Sequence, residues 1–204
     1  NAWAWPNAVV RGETVELMAW ANYLPWIRKA ELRLFRAGQK PQENPLEVLP
    51  VDWQQAARWT PPTTGDDEYF FLLRVYDADG RFDETSLKPL KLIARAGQLA
   101  DRDTVERERL IGYGENSLAL RNIPVSGGTV TVNGSRLKPG QRVEALGQQV
   151  PVDANGRFAI KQIMPAGAHS VEVKVRDEDG SVSAFRRNLS IVKDDWFYIA
   201  LGDL

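Results

Sequence analysis

The stretch that decides the fold is Tyr69-Phe70-Phe71-Leu72-Leu73-Arg74-Val75-Tyr76, followed from Asp77 by the turn Asp-Ala-Asp-Gly. Large apolar side chains recur at positions 69, 71, 73 and 75, and this period of two predicts a β-strand with one buried face. In such a turn the Asp side chain accepts hydrogen bonds from the backbone, and the Gly takes a positive φ. The stretch therefore predicts a strand that turns back in a hairpin.

The same pattern returns 100 residues later without a gap. His169-x-Val-x-Val-x-Val175 is followed by Asp177-Glu178-Asp179-Gly180, and each copy follows a Pro-containing stretch and a Gly. A single Asp-x-Asp-Gly would align by chance, but turn, strand phase and preceding corner align together. This correspondence predicts two modules of one architecture.

Short alternating runs punctuated by Gly, Pro, Asn and Asp fill both halves, and about seven strands in 95 residues is typical of an immunoglobulin-like sandwich. We predict an all-β fold of two tandem immunoglobulin-like β-sandwich domains. The first, Trp-rich, covers 1–96, and the second, with an apolar C-terminal strand, covers 112–204. Between them, 97–111 is a polar linker, either a solvated helix or an extended segment.

Two local predictions concern strand ends. Leu46 to Val51 is expected to be an edge strand, because Pro45 and Pro50 punctuate it and proline cannot donate to a ladder. Asn133-Gly134 after an alternating run is a strong signal for a two-residue hairpin turn.

Composition excludes several kinds of site. The chain of 204 residues has no cysteine and one histidine, which excludes disulfide frameworks, zinc-thiolate sites and centres with several histidines. Its 26 basic and 27 acidic residues are evenly spread, so neither half is a basic footprint for nucleic acid. No phosphate-binding loop is present, and no cofactor is expected.

The acidic turns and the linker suggest a weak calcium site, since carboxylates in tight loops are the oxygen ligands that Ca²⁺ takes. The alternative is hairpin chemistry, in which each Asp bonds its own turn. Lys88 and Asn188 stand where an EF-hand loop would need its twelfth-position carboxylate. The candidate ligands are Asp77, Asp79, Asp101, Asp103, Asp177 and Asp179.

Catalysis is not expected. His169 would have to be any imidazole base, but its repeat partner is Tyr69, at a position where sandwich domains often place a corner residue that bonds backbone. There is no G-x-S-x-G nucleophile motif. Acidic pairs such as Asp66/Asp67 and Asp194/Asp195 fall in loops or at strand ends, where charges are usually solvated.

The aromatic residues are unevenly distributed, because six of the seven tryptophans lie in the first 59 residues. Exposed Trp rings would stack on sugars or anchor a protein partner. The alternative is that the first two cover a sheet edge or the module junction. The candidate binding residues are Trp3, Trp5, Trp20, Trp26, Trp53 and Trp59.

The segment from Gly127 to Leu204 resembles the immunoglobulin-like repeats of large Gram-negative envelope proteins. The resemblance rests on Val132-Asn133-Gly134, on Val150-Pro151-Val152-Asp153-x-Asn-Gly156-Arg157-Phe158, on Pro165-x-Gly-x-His169 and on the run from Asp195 to Leu204. In those proteins such modules lie in the periplasm ahead of an outer-membrane β-barrel or an OmpA-type portion. The resemblance implies a periplasmic spacer or scaffold and supplies no catalytic residues.

The sequence thus predicts a non-catalytic scaffold, spacer or docking region of a larger outer-membrane protein, with an envelope protein or a glycan as partner and no nucleic acid. The parent chain would be anchored through a C-terminal barrel. The alternative is a module that binds glycan or peptidoglycan through exposed Trp residues of the first domain.

Overall fold

The computed structural model describes residues 1–5, 8–65, 68–93, 110, 116–193 and 196–201. Within these ranges the chain forms seventeen β-strands and one short 3₁₀ helix, so the predicted all-β class is confirmed. The chain divides into two compact units. Unit 1 comprises residues 1–20 and 27–123, and unit 2 comprises residues 21–26 and 124–204.

Unit 1 is built from two sheets. β1, β3 and β6 form a three-stranded sheet in the order β1-β3-β6. The second sheet has the order β10-β8-β7-β4-β5, and β9 pairs β7 and, in parallel, β2. The strands are β1 (Ala2–Trp5), β2 (Ala8–Val10), β3 (Val15–Ala19), β4 (Lys29–Arg36), β5 (Glu47–Pro50), β6 (Ala57–Trp59), β7 (Glu68–Tyr76), β8 (Phe82–Thr85), β9 (Lys88–Ile93) and β10 (Leu118–Leu120).

The core of unit 1 lies between these sheets. Val15 and Leu17 of β3 are fully buried, as are Leu34 of β4 and Leu90 of β9. The opening stretch is confirmed as a strand, and Tyr69, Phe71, Leu73 and Val75 point into the core. Leu72 is also buried, which the period of two did not predict.

Unit 2 has the same two-layer construction. Its sheets have the orders β14-β11-β17 and β13-β12-β15-β16. One apolar cluster joins side chains from both sheets, including Val130 and Val132 from the first and Val143 and Val173 from the second, which makes the unit a β-sandwich. The strands are β11 (Gly128–Gly134), β12 (Arg142–Ala145), β13 (Gln148–Val150), β14 (Phe158–Met164), β15 (Gly167–Arg176), β16 (Val182–Ile191) and β17 (Trp196–Leu201).

A segment from far upstream completes unit 2. Residues 21–26 lie between β3 and β4 in the sequence and contain the 3₁₀ helix Leu24–Trp26. They belong to unit 2. The backbone N–H of Ile163 in β14 donates to the carbonyl of Asn22 at 2.6 Å. The buried Gln148 amide donates to the carbonyl of Ala21 at 2.7 Å and accepts from its N–H at 3.2 Å. One side chain therefore satisfies both backbone groups of a buried residue.

The units differ from the sequence-derived bounds in two places. Residues 21–26 lie within the predicted first domain but belong to unit 2, and the described residues 116–123 lie within the predicted second domain but belong to unit 1. The backbone N–H groups of Asn122 and Ile123 donate to the buried Asp83 carboxylate at 2.5 and 2.8 Å, which fixes this stretch to unit 1. Apart from Leu110, the linker 97–111 lies outside the described residues.

The predicted edge strand is confirmed, because β5 pairs β4 at the end of its sheet. The predicted hairpin at Asn133-Gly134 is wrong. Both residues lie inside β11 and pair with β14. The glycine serves close packing, since a Cβ at Gly134 would lie 2.4 Å from the Phe158 ring. The nearby two-residue turn is instead Leu146-Gly147, with φ of 53° and 79°, between β12 and β13.

Candidate functional site

The longest exposed element of unit 2 is β16, which we call the β16 edge. It pairs β15 over ten consecutive residues without a register shift, and on its other side no strand among the described residues pairs with it. Eight of its ten residues are exposed. At about 3.3 Å per residue it presents roughly 33 Å of backbone.

One face of the β16 edge continues the core side of the sheet. Phe185 lies opposite Val173, and Arg187 lies opposite Val171, and directly opposite residues share a face. The two valines are buried, whereas Phe185 is 37% exposed and Arg187 is exposed. At these positions the sandwich core stops at β15, although Ile191 at the end of β16 belongs to the core. This face of β16 therefore offers an apolar ring beside a cation.

The other face of β16 carries a charged ladder. Arg186 donates to Glu172 of β15 at 3.0 Å, and Lys174 lies 3.3 Å from Glu172 and 3.7 Å from Glu144 of β12. Hydrogen bonds from Arg186 and Lys174 hold the pKa of Glu172 below its ordinary value, and the Glu172 bond raises the pKa of Lys174.

Two arginines lie opposite each other next to the acidic β15–β16 turn, Asp177-Glu178-Asp179. Arg142 of β12 and Arg176 of β15 are directly opposite each other, and both are exposed on the outer face. Like charges facing each other across a ladder are destabilising. Val182 of β16 lies next to them, opposite Arg176, and is 45% exposed. With Lys174 and Arg186, the two arginines outnumber Glu144 and Glu172, the acidic residues that these strands carry on the outer face.

His169 lies near the other end of the hairpin. Its Nε2 is 2.6 Å from the carbonyl oxygen of Pro165, and the ring is half-buried. This contact matches the expected corner role, in which the side chain bonds backbone. A shallow, open depression of about 510 Å³ lies here, lined by Ala168, His169, Ser170, Asn188, Leu189 and Ser190.

The acidic turns use their carboxylates locally. Asp77 Oδ1 accepts from the N–H groups of Asp79 and Arg81, both at 2.9 Å, and Arg81 Nε donates to Oδ2. Asp153 has the same arrangement with Asn155 and Arg157. Backbone and side-chain bonds from Arg157 hold the pKa of Asp153 below its ordinary value. This is the hairpin chemistry of the alternative interpretation.

The calcium candidates are dispersed. Asp77 and Asp79 share one turn with Arg81, which contacts both carboxylates. Asp177 and Asp179 share another, where Ser181 donates its N–H to Asp179 at 2.8 Å. Asp101 and Asp103 lie outside the described residues. Among the residues described, no group of three or more His, Cys, Asp or Glu side chains could hold a metal ion.

The candidate tryptophans differ in burial and are divided between the two units. Trp59 is a core residue at 4% exposure, with its ring edge-on to Tyr69 and its Nε1 donating to Glu47 at 2.9 Å, so the interpretation of Trp59 as a binding residue is wrong. Trp26 belongs to unit 2 and the others to unit 1. Trp3, Trp20, Trp26 and Trp53 are half-buried.

Trp3 and Trp5 lie on β1, at the edge of the three-stranded sheet of unit 1. The Trp5 side chain lies outside the described part of the chain. The position of β1 matches the alternative that these residues cover a sheet edge. Sugar stacking by the Trp residues stays a prediction.

Sequence reasoning missed the β16 edge. It identified only Leu189 and Ile191, because the apolar alternation of this strand is interrupted by Arg187. Two adjacent arginines between a hairpin turn and a final apolar pair are the signal that could have found it. A cation at a core-side position is typical of a sheet edge.

No protein-family model matches the chain, and no curated protein matches it. Among solved structures, the fibronectin(III)-like modules of Clostridium thermocellum CbhA are similar over 95% of this chain and 89% of that one, at 12% identity and a TM-score of 0.28. The D00-D0 domain of intimin is similar over 92% and 94%, at 11% identity and a TM-score of 0.26.

A third similar structure is SGBP-B of Bacteroides ovatus in complex with a mixed-linkage heptasaccharide, at 11% identity and a TM-score of 0.21. The alignment covers 96% of this chain and 43% of that one. Scores this low add nothing to the fold derived from the strands.

The described residues contain no helix with the length and apolar character needed to cross a membrane.

Proposed function

We propose that this chain is a non-catalytic docking and spacing region of a larger outer-membrane protein, and that it works in the periplasm. The observation that carries the docking role is the β16 edge, a ten-residue strand whose outer side pairs with no strand of the described ranges and whose residues are mostly exposed. A strand fixed to a sandwich core is a preorganised surface, which lowers the entropic cost of binding.

The charged groups of the described residues support a structural use. Asp77 and Asp153 close their turns, and Glu172 holds two strands together. In unit 1, Arg74 and Glu84 form an ion pair between β7 and β8. The resemblance of Gly127–Leu204 to envelope repeats supports the periplasmic location.

The test locates the native gene product in the cell and finds what it touches. A photo-crosslinking amino acid replaces exposed Ser183 on β16, and, as a control, exposed Gln55 of unit 1. We expect proteinase K to digest the protein only after the outer membrane is permeabilised, and crosslinks to an envelope protein from position 183 but not 55. A cytosolic product, or equal crosslinking from both positions, contradicts the proposal.

A further inference from the structure

We propose that the β16 edge binds an extended, acidic segment of a partner protein by adding it as a further strand to the sheet. This rests on the proposed docking function and names the class of partner and the mode of contact. The inference combines the backbone geometry of the edge with the charge on both of its faces.

The backbone of β16 is available for pairing. In an antiparallel pair, each strand directs the N–H and C=O groups of alternate residues toward its neighbour and those of the others away. Five of the ten residues of β16 therefore present both groups on the side opposite β15. Prolines and β-bulges are two features that protect sheet edges from pairing with another chain. The β16 strand contains no proline, and its pairing with β15 shows no bulge.

The other edges of the described sheets are shorter. In the same sheet, β13 has three residues and Pro151 follows it directly. In unit 1, β5 has four residues and ends at Pro50. A typical strand has five or six residues, so β16 gives a partner almost twice the usual pairing length.

The side chains of β16 select the charge of the added strand. Arg186 and Arg187 are adjacent and therefore lie on opposite faces, so each face carries one guanidinium. The strand has no acidic residue. An added strand with two adjacent carboxylates would place one beside each arginine, and its flanking apolar residues would cover Phe185 and Val182, which are both exposed.

A second copy of this chain fits the edge less well. In a two-fold antiparallel pair, directly opposite residues share a face, so the two registers with the longest overlap are centred on Arg186 or on Arg187. Each register places that arginine opposite its own copy at the centre of the contact, and this like-charge pair opposes association. An acidic strand replaces the repulsion by attraction.

The experiment measures binding of defined peptides to the full chain by fluorescence anisotropy. The probe is a labelled, capped peptide of alternating Val and Thr with two adjacent Glu at its centre, and its matched control carries Lys at those two positions. We expect the acidic peptide to bind at least tenfold more tightly than the basic one, with an affinity that falls as salt is raised. Equal binding of the two peptides overturns the proposal.

Two N-methylated versions of the acidic peptide test strand addition. One is methylated at the odd-numbered residues and the other at the even-numbered residues. We expect one frame to abolish binding and the other to retain it, because only alternate N–H groups face the sheet. Hydrogen exchange should slow at β16 amides when the peptide is bound. Equal effects of the two frames, or protection elsewhere, overturn strand addition.

The charge test compares Arg187→Glu with Lys161→Glu, which makes the same charge change at an exposed position of β14 in the other sheet. We expect about a tenfold loss of acidic-peptide binding for Arg187→Glu and little change for Lys161→Glu. Circular dichroism and urea denaturation check that both variants remain folded.

Equal losses of peptide binding for the two variants overturn the proposal. So do concentration-dependent dimers of the wild-type chain that Arg187→Glu abolishes, because the edge would then bind another copy of this chain. Failure here is distinct from failure of the docking function. Crosslinks to an envelope protein from Ser183 would stand even if acidic peptides did not bind.

Discussion

Gln148→Leu tests the most specific interaction in unit 2, the capture of the upstream segment 21–26. Gln148 is 1% exposed, and its amide bonds both the carbonyl and the N–H of Ala21, which is 6% exposed. Leucine fills a similar volume without a polar group, so the substitution removes the two hydrogen bonds with little loss of packing. It isolates the cost of leaving buried backbone groups without partners.

Each unsatisfied buried group costs about 1–3 kcal/mol, and leucine gains back about 1 kcal/mol as an apolar side chain. We therefore expect Gln148→Leu to lower the free energy of unfolding of unit 2 by about 3 kcal/mol. With an m-value near 1.5 kcal/mol/M, this moves the urea midpoint down by about 2 M.

The local assay is hydrogen exchange at the Ile163 amide, which donates to Asn22 of the captured segment. We expect its protection to fall by about 100-fold, the equivalent of 3 kcal/mol. The control is Gln149→Leu, the next residue of β13, whose half-buried side chain points to the other face and should cost less than about 1 kcal/mol. A change below about 0.5 kcal/mol for Gln148→Leu, or equal changes for the two variants, would refute the reasoning.

Three further predictions concern caps, turns and pH. Asp83→Ala should lower the free energy of unfolding, measured by urea denaturation, by about 3 kcal/mol, because it leaves the N–H groups of residues 122 and 123 without their acceptor. Asp83→Asn retains one oxygen and should cost less, and equal losses for the two variants would contradict this role. Gly156→Ala should lower the Tm more than Gly180→Ala does. Both glycines have positive φ, but a Cβ at position 156 would lie 2.3 Å from the Leu137 carbonyl oxygen, whereas position 180 has open space. Equal Tm values for the two variants would refute this prediction. The pKa values of Asp153 and Glu172 are lowered in the folded state, so these carboxylates stabilise the fold above the ordinary carboxyl pKa of about 4. This stability is lost as the pH falls through the lowered values. Asp153→Asn should therefore reduce the slope of stability against pH in the acid range, and an unchanged slope would count against the prediction.

The sequence was most informative where structure is local. The period of two in Tyr69–Val75 and in Val171–Val175, with an Asp-Gly turn after each, predicted the two central strands and their hairpins. Those features depend on residues within one strand and its turn. The same local logic failed at Asn133-Gly134, because the reason for Gly134 is the Phe158 ring across the sheet, which no neighbouring residue reveals.

Residues 21–26 show the limit more clearly. The sequence places them inside the first module, and a polar residue that holds them, Gln148, is 127 residues away from Ala21. A pairing of that separation leaves no periodic trace. Trp59 could not be placed from the sequence for a related reason, since its ring is equally compatible with core and surface until Glu47 and Tyr69 are seen around it.

The arginines of β16 have an ordinary explanation as well, since charges on an edge strand prevent pairing with other copies of the protein. The two roles are compatible because they rest on the same electrostatics. In either symmetric register, centred on Arg186 or on Arg187, the strand places an arginine opposite its own copy at the centre of the contact and has no acidic residue to offset the repulsion. The same arginines attract a strand that carries two adjacent carboxylates there. Protection against self-association and selectivity for an acidic partner therefore follow from one feature, and Arg187→Glu should weaken both together.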